Sequence, residues 1–250
     1  MPDNRTDIAV IGAGAAGCFC AIEIRRAHPE LSVSLFEAGR APMAKLALTG
    51  GGRCNLTNTF AGVRNLSEVY PRGERLMKRA LKEFGPEETM RWFEREGVRL
   101  VVQDDECVFP QSQDAMQIVR VLENLILRTG VKLACNKKVT SISPLPQDGS
   151  PESGFSLSFS DGGQVGANKV VFAIGGCSSS ALESILPQGV ELVRTVPSLY
   201  TFKIADESLR ALMGTVVPRV GLSLAGTSFR AEGILLLTDW GVSGPATLRL

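Results

Sequence analysis

Residues 7–17 read Asp-Ile-Ala-Val-Ile-Gly-Ala-Gly-Ala-Ala-Gly. A short β-branched run that ends in glycine is the pattern of a buried strand. The residues that follow are helix-compatible to about Ala27. Ser32–Phe36 (SVSLF) then predicts a second strand, and Glu37 stands at its end, 20 residues after Gly17. Strand, glycine turn, helix, strand and acid come in the order of a dinucleotide-binding β-α-β unit. Gly12 permits the tight turn, Gly14 lets backbone approach a pyrophosphate, and Gly17 lets the helix pack on the strand. The helix N-terminus, at Ala15 and Ala16, offers N–H groups and a positive dipole end to phosphates. Glu37 can accept hydrogen bonds from a ribose diol, and its charge would repel a 2′-phosphate. The fingerprint alone does not separate NAD from FAD. Its bland alternative is a glycine-rich turn with no nucleotide.

The chain has 250 residues, enough for one large domain or two modest ones with a real core. Lys+Arg is 27 and Asp+Glu is 26. That balance gives no electrostatic case for nucleic acid or an anionic membrane, leaving open only a local basic patch. The uncharged run Ile8–Ile22 resembles a signal peptide, but Asp3 and Asp7 occupy its flank where positive charge is wanted. It is also shorter than the roughly 18–20 apolar residues a membrane span needs. A soluble, cytoplasmic chain is expected. Cysteines stand at 18, 20, 54, 107, 135 and 177, with no C-x-x-C pair, which predicts free thiols in a reducing compartment. The sole histidine is His28, so no metal site is expected.

A second stretch, residues 49–58, reads TGGGRCNLTN and contains almost nothing that could build a core. Glycines at 50–52 allow positive φ and remove side chains, so backbone there can come close to an aromatic ring. Its N–H groups can bond polar ring atoms or phosphate oxygens. Asn55 and Asn58 can brace the loop through side chain to backbone bonds. Arg53 can pair with a phosphate, a substrate carboxylate or a nearby acid. Cys54 has no C-x-x-C partner, and packing is a better account of it than redox chemistry.

The segment Lys45–Asn58, KLALTGGGRCNLTN, resembles the hallmark of the HI0933-like or BaiN-like family of FAD-dependent oxidoreductases. Val108–Ser112 (VFPQS), Val170–Gly176 (VVFAIGG) and Trp240–Ala246 (WGVSGPA) resemble three further segments of that family. The resemblance implies an α/β fold. A Rossmann-like FAD-binding domain would occupy residues 1–195, and the start of an inserted, mostly β second domain would occupy residues 196–250. It also implies hydride transfer between a nicotinamide donor, NAD(P)H acting transiently, and a small organic substrate such as an unsaturated steroid-like compound. The implied cofactor-binding residues begin with Gly12, Gly14, Ala15, Ala16 and Gly17 at the pyrophosphate, followed by Glu37 and Ala38. Lys45, Thr49, Gly51, Gly52, Arg53, Cys54 and Asn55 come from the loop beside the isoalloxazine. Val139 supplies an adenine-side backbone contact, and Ala173, Gly175 and Gly176 complete the set.

This sequence departs from the family in three places. Cys177-Ser178-Ser179-Ser180 replaces a Gly-Asp-Gly segment, so no contact is carried over there. Met43 and Ala44 stand where the family often has Gly and a basic residue. The family's glycine-rich return to the first domain is not met before Leu250, which reads as a truncated chain. No Asp, His or Tyr stands out as a proton donor, so no catalytic residue is assigned. An NAD-binding dehydrogenase would explain the first forty residues but not TGGGRCNLTN. A non-catalytic or RNA-associated flavoprotein fragment is the alternative from another class, and the balanced charge speaks against RNA.

Elsewhere the patterns predict helices over 73–84 and 86–96, with Pro86 at a first helical position. Trp92 and Phe93 are expected in the core. Short strands follow at 98–102 and 106–109. Asp114 and Gln117 have capping-box spacing before a helix carrying Ile118, Val121, Leu122, Leu125 and Ile126. Strands are predicted at 131–134, 138–142, 155–159 and 170–174, with a polar loop at 144–154. A helical stretch is predicted at 181–186, and short β pieces at 220–224 and 233–237.

Overall fold

A computed structural model describes residues 5–145, 154–193, 199 and 201–250. The chain divides into two compact units, Met1–Leu192 and Val193–Leu250. The first unit opens with β1 (Arg5–Ile11), α1 (Ala15–Ala27) and β2 (Val33–Phe36). A 3-10 turn at Leu46–Leu48 leads into the glycine turn α2 (Thr49–Gly52), then β3 (Thr57–Asn58), α3 (Leu66–Val69), α4 (Glu74–Glu83) and α5 (Pro86–Arg95). After these come β4 (Leu100–Val102), β5 (Cys107–Pro110), α6 (Ala115–Thr129), β6 (Lys132–Ala134), β7 (Val139–Leu145), β8 (Gly154–Phe159), β9 (Gln164–Phe172) and α7 (Ser179–Ile185).

Six strands form one sheet in the order β6-β2-β1-β9-β8-β7. The first four run parallel, and β8 and β7 join antiparallel. Strand β1 is buried on both faces, as a central parallel strand must be. Its period of two divides two cores. Ile8 and Val10 pack with Cys18, Ala21 and Ile22 of α1 and with Ile118, Leu122 and Ile126 of α6. Ala9 and Ile11 pack with Phe36, Val139, Ile142, Leu157 and Phe159. Helices therefore cover one face of the parallel strands, and the β7–β8 hairpin supplies the core of the other. This is a Rossmann-like α/β fold. A separate three-stranded antiparallel sheet, β3-β5-β4, carries the segment after the glycine turn.

Local chemistry sets the helix ends. Pro86 opens α5, and Glu88 reaches back to accept from the Gly85 N–H at 3.0 Å. Trp92 and Phe93 are core residues, and the Trp92 indole N–H donates to Glu23 at 3.0 Å. Asp114 caps α6 by accepting from the Met116 N–H at 2.9 Å, and Gly130 ends it in the left-handed region. The reciprocal half of the expected capping box does not form. Gln117 instead accepts from the Ser112 hydroxyl.

The longest strand differs most from expectation. Strand β9 starts at Gln164 and ends at Phe172, where only 170–174 was expected. Pairing with β8, from Phe155↔Ala167 to Ser158↔Gln164, and with β1, from Arg5↔Gly166 to Ile8↔Lys169, extends it through Gly166, Asn168 and Lys169, residues that hide a strand pattern. Of the loop expected at 144–154, Pro144, Leu145 and Gly154 belong to strands, and 146–153 lie outside the described residues. The short β3 and α3 were not anticipated, because two to four residues carry no periodicity.

The second unit has β10 (Phe202–Lys203), α8 (Glu207–Arg210), β11 (Val216–Ser223), β12 (Arg230–Leu237), β13 (Gly241–Ser243) and α9 (Pro245–Arg249). Its strands form an antiparallel sheet ordered β10-β13-β12-β11. Helix α9 lies on β12, where a methyl group on Gly233 would meet the Ala246 backbone nitrogen at 3.3 Å. Among the described residues, no helix is long and apolar enough to cross a membrane.

Two leucines of α6 test the assignment of the helical core. Leu122 is 2% exposed and Leu127 is 77% exposed. Leu122→Ala is expected to lower the unfolding free energy by about 2–5 kcal/mol, and Leu127→Ala by no more than about 0.5 kcal/mol, in urea titrations.

Candidate functional site

The carboxyl ends of β1, β2 and β9 meet where the strand order reverses, the position at which open α/β sheets bind ligands. The turn after β1 leaves no room for side chains. Gly12 has φ 98°, and a methyl group on it would lie 2.5 Å from the Ala173 carbonyl oxygen. A methyl on Gly17 would lie 1.9 Å from the Gly12 carbonyl oxygen. The Gly12 N–H donates to the Phe36 carbonyl at 2.8 Å, and the Ala173 N–H donates to that of Ile11 at 2.8 Å. Gly14 differs from its neighbours, because a methyl group there would meet no protein atom within 4 Å. Helix α1 starts just beyond it with Ala15 and Ala16 exposed and no side-chain cap. Its first N–H groups are therefore available to an anion.

Glu37 is tied into the same turn. One carboxylate oxygen accepts from the Ala13 N–H at 2.9 Å and the other from the Gly39 N–H at 2.7 Å. An ionised carboxylate has about four lone-pair sites, so acceptor capacity remains for a diol. Ala38 is exposed beside it. The Lys137 N–H donates to the Glu37 carbonyl at 2.7 Å, and Val139 follows, buried in the second core at the start of β7. Past Ala173, Gly175 and Gly176 are exposed, and methyl groups on them would also meet no protein atom within 4 Å.

The glycine turn is joined to the β1 turn through Met43. The Met43 N–H donates to the Ala13 carbonyl at 2.7 Å, and its side chain is buried in the helical core with Leu46 and Cys54. Gly50 has φ 57°, and a methyl group on it would crowd the Asn55 nitrogen at 2.8 Å and the Phe109 ring at 3.0 Å. Gly51 and Gly52 have no protein atom within 4 Å of the corresponding positions. Lys45, Thr49, Gly51, Arg53 and Asn55 are exposed. The Thr49 hydroxyl donates to the Leu46 carbonyl at 2.9 Å. Asn58 braces the segment, donating to the Asp105 carbonyl and accepting from the Phe60 N–H at 2.9 Å. The Asn55 side chain makes no hydrogen bond among the described residues.

Arg53 is held by neutral groups. Its guanidinium lies 4.4 Å from the centre of the Phe109 ring and donates to the Gly50 carbonyl at 3.1 Å and to the Gln113 side chain at 3.3 Å. Among the described residues, no carboxylate pairs with it. Sequence reading missed Gln113 and Phe109 as its supports, because nothing in their spacing links 109 or 113 to 53. Cys54 is 2% exposed, and burial pushes its thiol pKa up, against a smaller opposing effect from Thr49. Cys18, on α1, is pushed up to about 12, first by burial and then by the charges of Glu37 and Glu123. Both shifts favour the neutral thiol. All six cysteines are free, and the described residues hold no group of His, Cys, Asp and Glu that could bind a metal ion.

A family model described as the HI0933-like protein Rossmann domain matches residues 6–196. A second, described as the HI0933-like protein barrel and H2TH domain, matches residues 196–250. A ribosomal RNA dihydrouridine synthase of Escherichia coli (strain K12) is 31% identical across 99% of this chain and 60% of its own length. A 3-dehydro-bile acid delta(4,6)-reductase of Clostridium scindens is 27% identical across 95% of this chain and 58% of its own length. The chain thus spans about 60% of the length of these curated relatives. Thermovibrio ammonificans THI4 is a similar solved structure, with a TM-score of 0.46 and 14% identity over 72% of this chain and 61% of that one.

Two expectations follow from this geometry. Gly14→Val should fold like the parent, with a thermal midpoint within about 2 °C, yet lose at least tenfold in FAD affinity by fluorescence titration, since it fills only space outside the protein. Iodoacetamide at pH 8 should alkylate exposed Cys177 while leaving Cys18 and Cys54 unmodified in the folded chain, read by peptide mass spectrometry.

Proposed function

The chain belongs to the HI0933-like family of FAD-binding proteins, and from that membership we propose that it is a flavin-dependent reductase acting on a C=C bond conjugated to a carbonyl group. The observation that carries this reading is the junction of the two glycine turns through the Met43–Ala13 hydrogen bond. It sets the anion-binding end of α1 and the open backbone of Gly51 and Gly52 into one frame. The open positions at Gly14, Gly51, Gly52, Gly175 and Gly176 fit a long, flat dinucleotide, which needs backbone approach at several points.

In this reading, N–H groups of Ala15, Ala16 and Gly17 hold the pyrophosphate. Glu37 keeps its two backbone bonds and accepts from the ribose diol, with Ala38 beside it. The Val139 backbone contacts the adenine side. Lys45 and the Thr49–Asn55 turn line the isoalloxazine. FAD held by these residues would supply two-electron, hydride-level chemistry between NAD(P)H and the unsaturated bond, with the second carbon taking its proton from solvent. Arg53, fixed over Phe109 and bonded to Gln113, orients an electron-rich oxygen of the substrate or ring. The buried apolar wall of Met43, Leu46 and Cys54 keeps water from the inner side of the turn. Both named relatives favour this bond type: a dihydrouridine is a uridine with a saturated ring C=C bond, and a delta(4,6)-reductase removes unsaturation from a ring system.

A second reading places the unsaturated bond in a uridine of ribosomal RNA. It is favoured by the 31% identical relative and by a cluster of exposed cations on α4. The test is a stepwise anaerobic reaction. NADH or NADPH should bleach the visible flavin band of the FAD-loaded chain. An unsaturated ketosteroid, or a ribosomal RNA transcript under the second reading, should then restore it, with loss of the substrate's own ultraviolet absorbance. Failure of both nicotinamides to bleach the flavin, or reoxidation by dioxygen alone, would contradict the proposal.

A further inference from the structure

The charge of this chain is unevenly spread. Between residues 64 and 82 there are six cations (Arg64, Arg72, Arg75, Lys78, Arg79, Lys82) and two acids (Glu68, Glu74), a local balance of +4 in a chain whose total is +1. The remaining residues therefore sum to −3. Four of the cations, Arg75, Lys78, Arg79 and Lys82, stand on α4 at i, i+3, i+4 and i+7, so they share one helix face, and Arg72 lies in the turn just before the helix. All five are exposed, and none takes part in an ion pair among the described residues. Met77 and Leu81 occupy the opposite side and are half-buried.

A solvated face on a stable helix usually alternates charges or pairs them at i, i+4. Helix α5 does this, with Arg91 bonded to both Glu87 and Glu88. Helix α4 does not. Four like charges over about 10 Å of helix rise repel one another and lower the stability of the helix. An external polyanion would offset that repulsion.

We propose that the α4 face is a docking surface for the phosphate backbone of RNA. The proposal rests on the reading in which the substrate is a uridine of ribosomal RNA, and it assigns the element that holds the strand. Phosphate contacts dominate the affinity of such complexes and carry no sequence information, which suits a row of bare cations. An anionic membrane is the less fitting occupant. A membrane-surface helix needs a broad apolar sector beside its cations. Here the only strongly exposed apolar side chain within α4 is Leu76, at 70%.

The test uses the FAD-loaded chain and a fluorescently labelled ribosomal RNA transcript, with anisotropy titrations from low to moderate salt. The variant R75E/K78E/R79E/K82E is compared with the parent and with R219E/R230E, which reverses two exposed cations of the other unit. Equal FAD uptake and far-ultraviolet circular dichroism establish that each variant is folded. The α4 variant should bind at least tenfold more weakly, and its log–log salt slope should fall by roughly 3, while R219E/R230E stays within about twofold of the parent. If the α4 variant keeps the parent's affinity and slope while the parent reduces uridine in the transcript, the RNA reading stands and this surface is wrong. If the parent binds and reduces no RNA, the RNA reading fails and takes the surface with it. Binding to phosphatidylserine vesicles without RNA binding also overturns the proposal.

Discussion

The structure depends on how closely the turn after β1 packs against the end of β9. Gly12 sits so near the Ala173 carbonyl, and Gly17 so near the Gly12 carbonyl, that a methyl group at either place cannot be accommodated. That contact fixes where α1 starts and where its first N–H groups point. Glu37 then adds the third strand end by bonding the Ala13 N–H, and Met43 adds the second glycine turn by bonding the Ala13 carbonyl. Ala13, a residue of no chemical interest, is the point at which the acid and the second loop are joined to the turn through its own backbone. The Ala13 backbone and the Glu37 carboxylate hold the frame between them.

The two parts of the site have different origins of rigidity. Around β1 the constraint is steric and covers both faces of a parallel sheet. Around residues 50–54 it is a combination of one crowded glycine, a buried thiol and a guanidinium lying on an aromatic ring. Cys54 illustrates the second kind. Its thiol is withdrawn from water and its pKa pushed up, so its place in the turn is explained by packing. Arg53 leans on Phe109 of β5 and on Gln113 of the turn between β5 and α6, so these two segments share in positioning the glycine turn.

Much of this was legible in the sequence, for identifiable reasons. The β1–α1–β2 unit is local, and its glycine spacing encodes its own geometry. The long amphipathic helix α6 has enough turns for its periodicity to show, and Trp92 and Phe93 fell in the core as expected. What stayed hidden depends on distant partners. The early start of β9, from Gln164 to Ala167, is dictated by its partners β8 and β1, and the incomplete capping box at α6 by Ser112. Glu37 was read only as a ribose acceptor, and its bonds to Ala13 and Gly39 require knowing how two turns face each other. The support of Arg53 by residues some sixty positions away has no local trace. Met43 was visible as a departure from the family, and its meaning came only with its buried side chain and its hydrogen bond.

In the proposed reading these two turns together form one FAD site. The measurement that tests it most directly is the visible absorption spectrum of the purified chain, with the ligand released by denaturation and identified by chromatography against FAD, FMN and NAD. A flavin spectrum with FAD released is the predicted result. A colourless chain that takes up no added FAD, or one that releases NAD in its place, would contradict it.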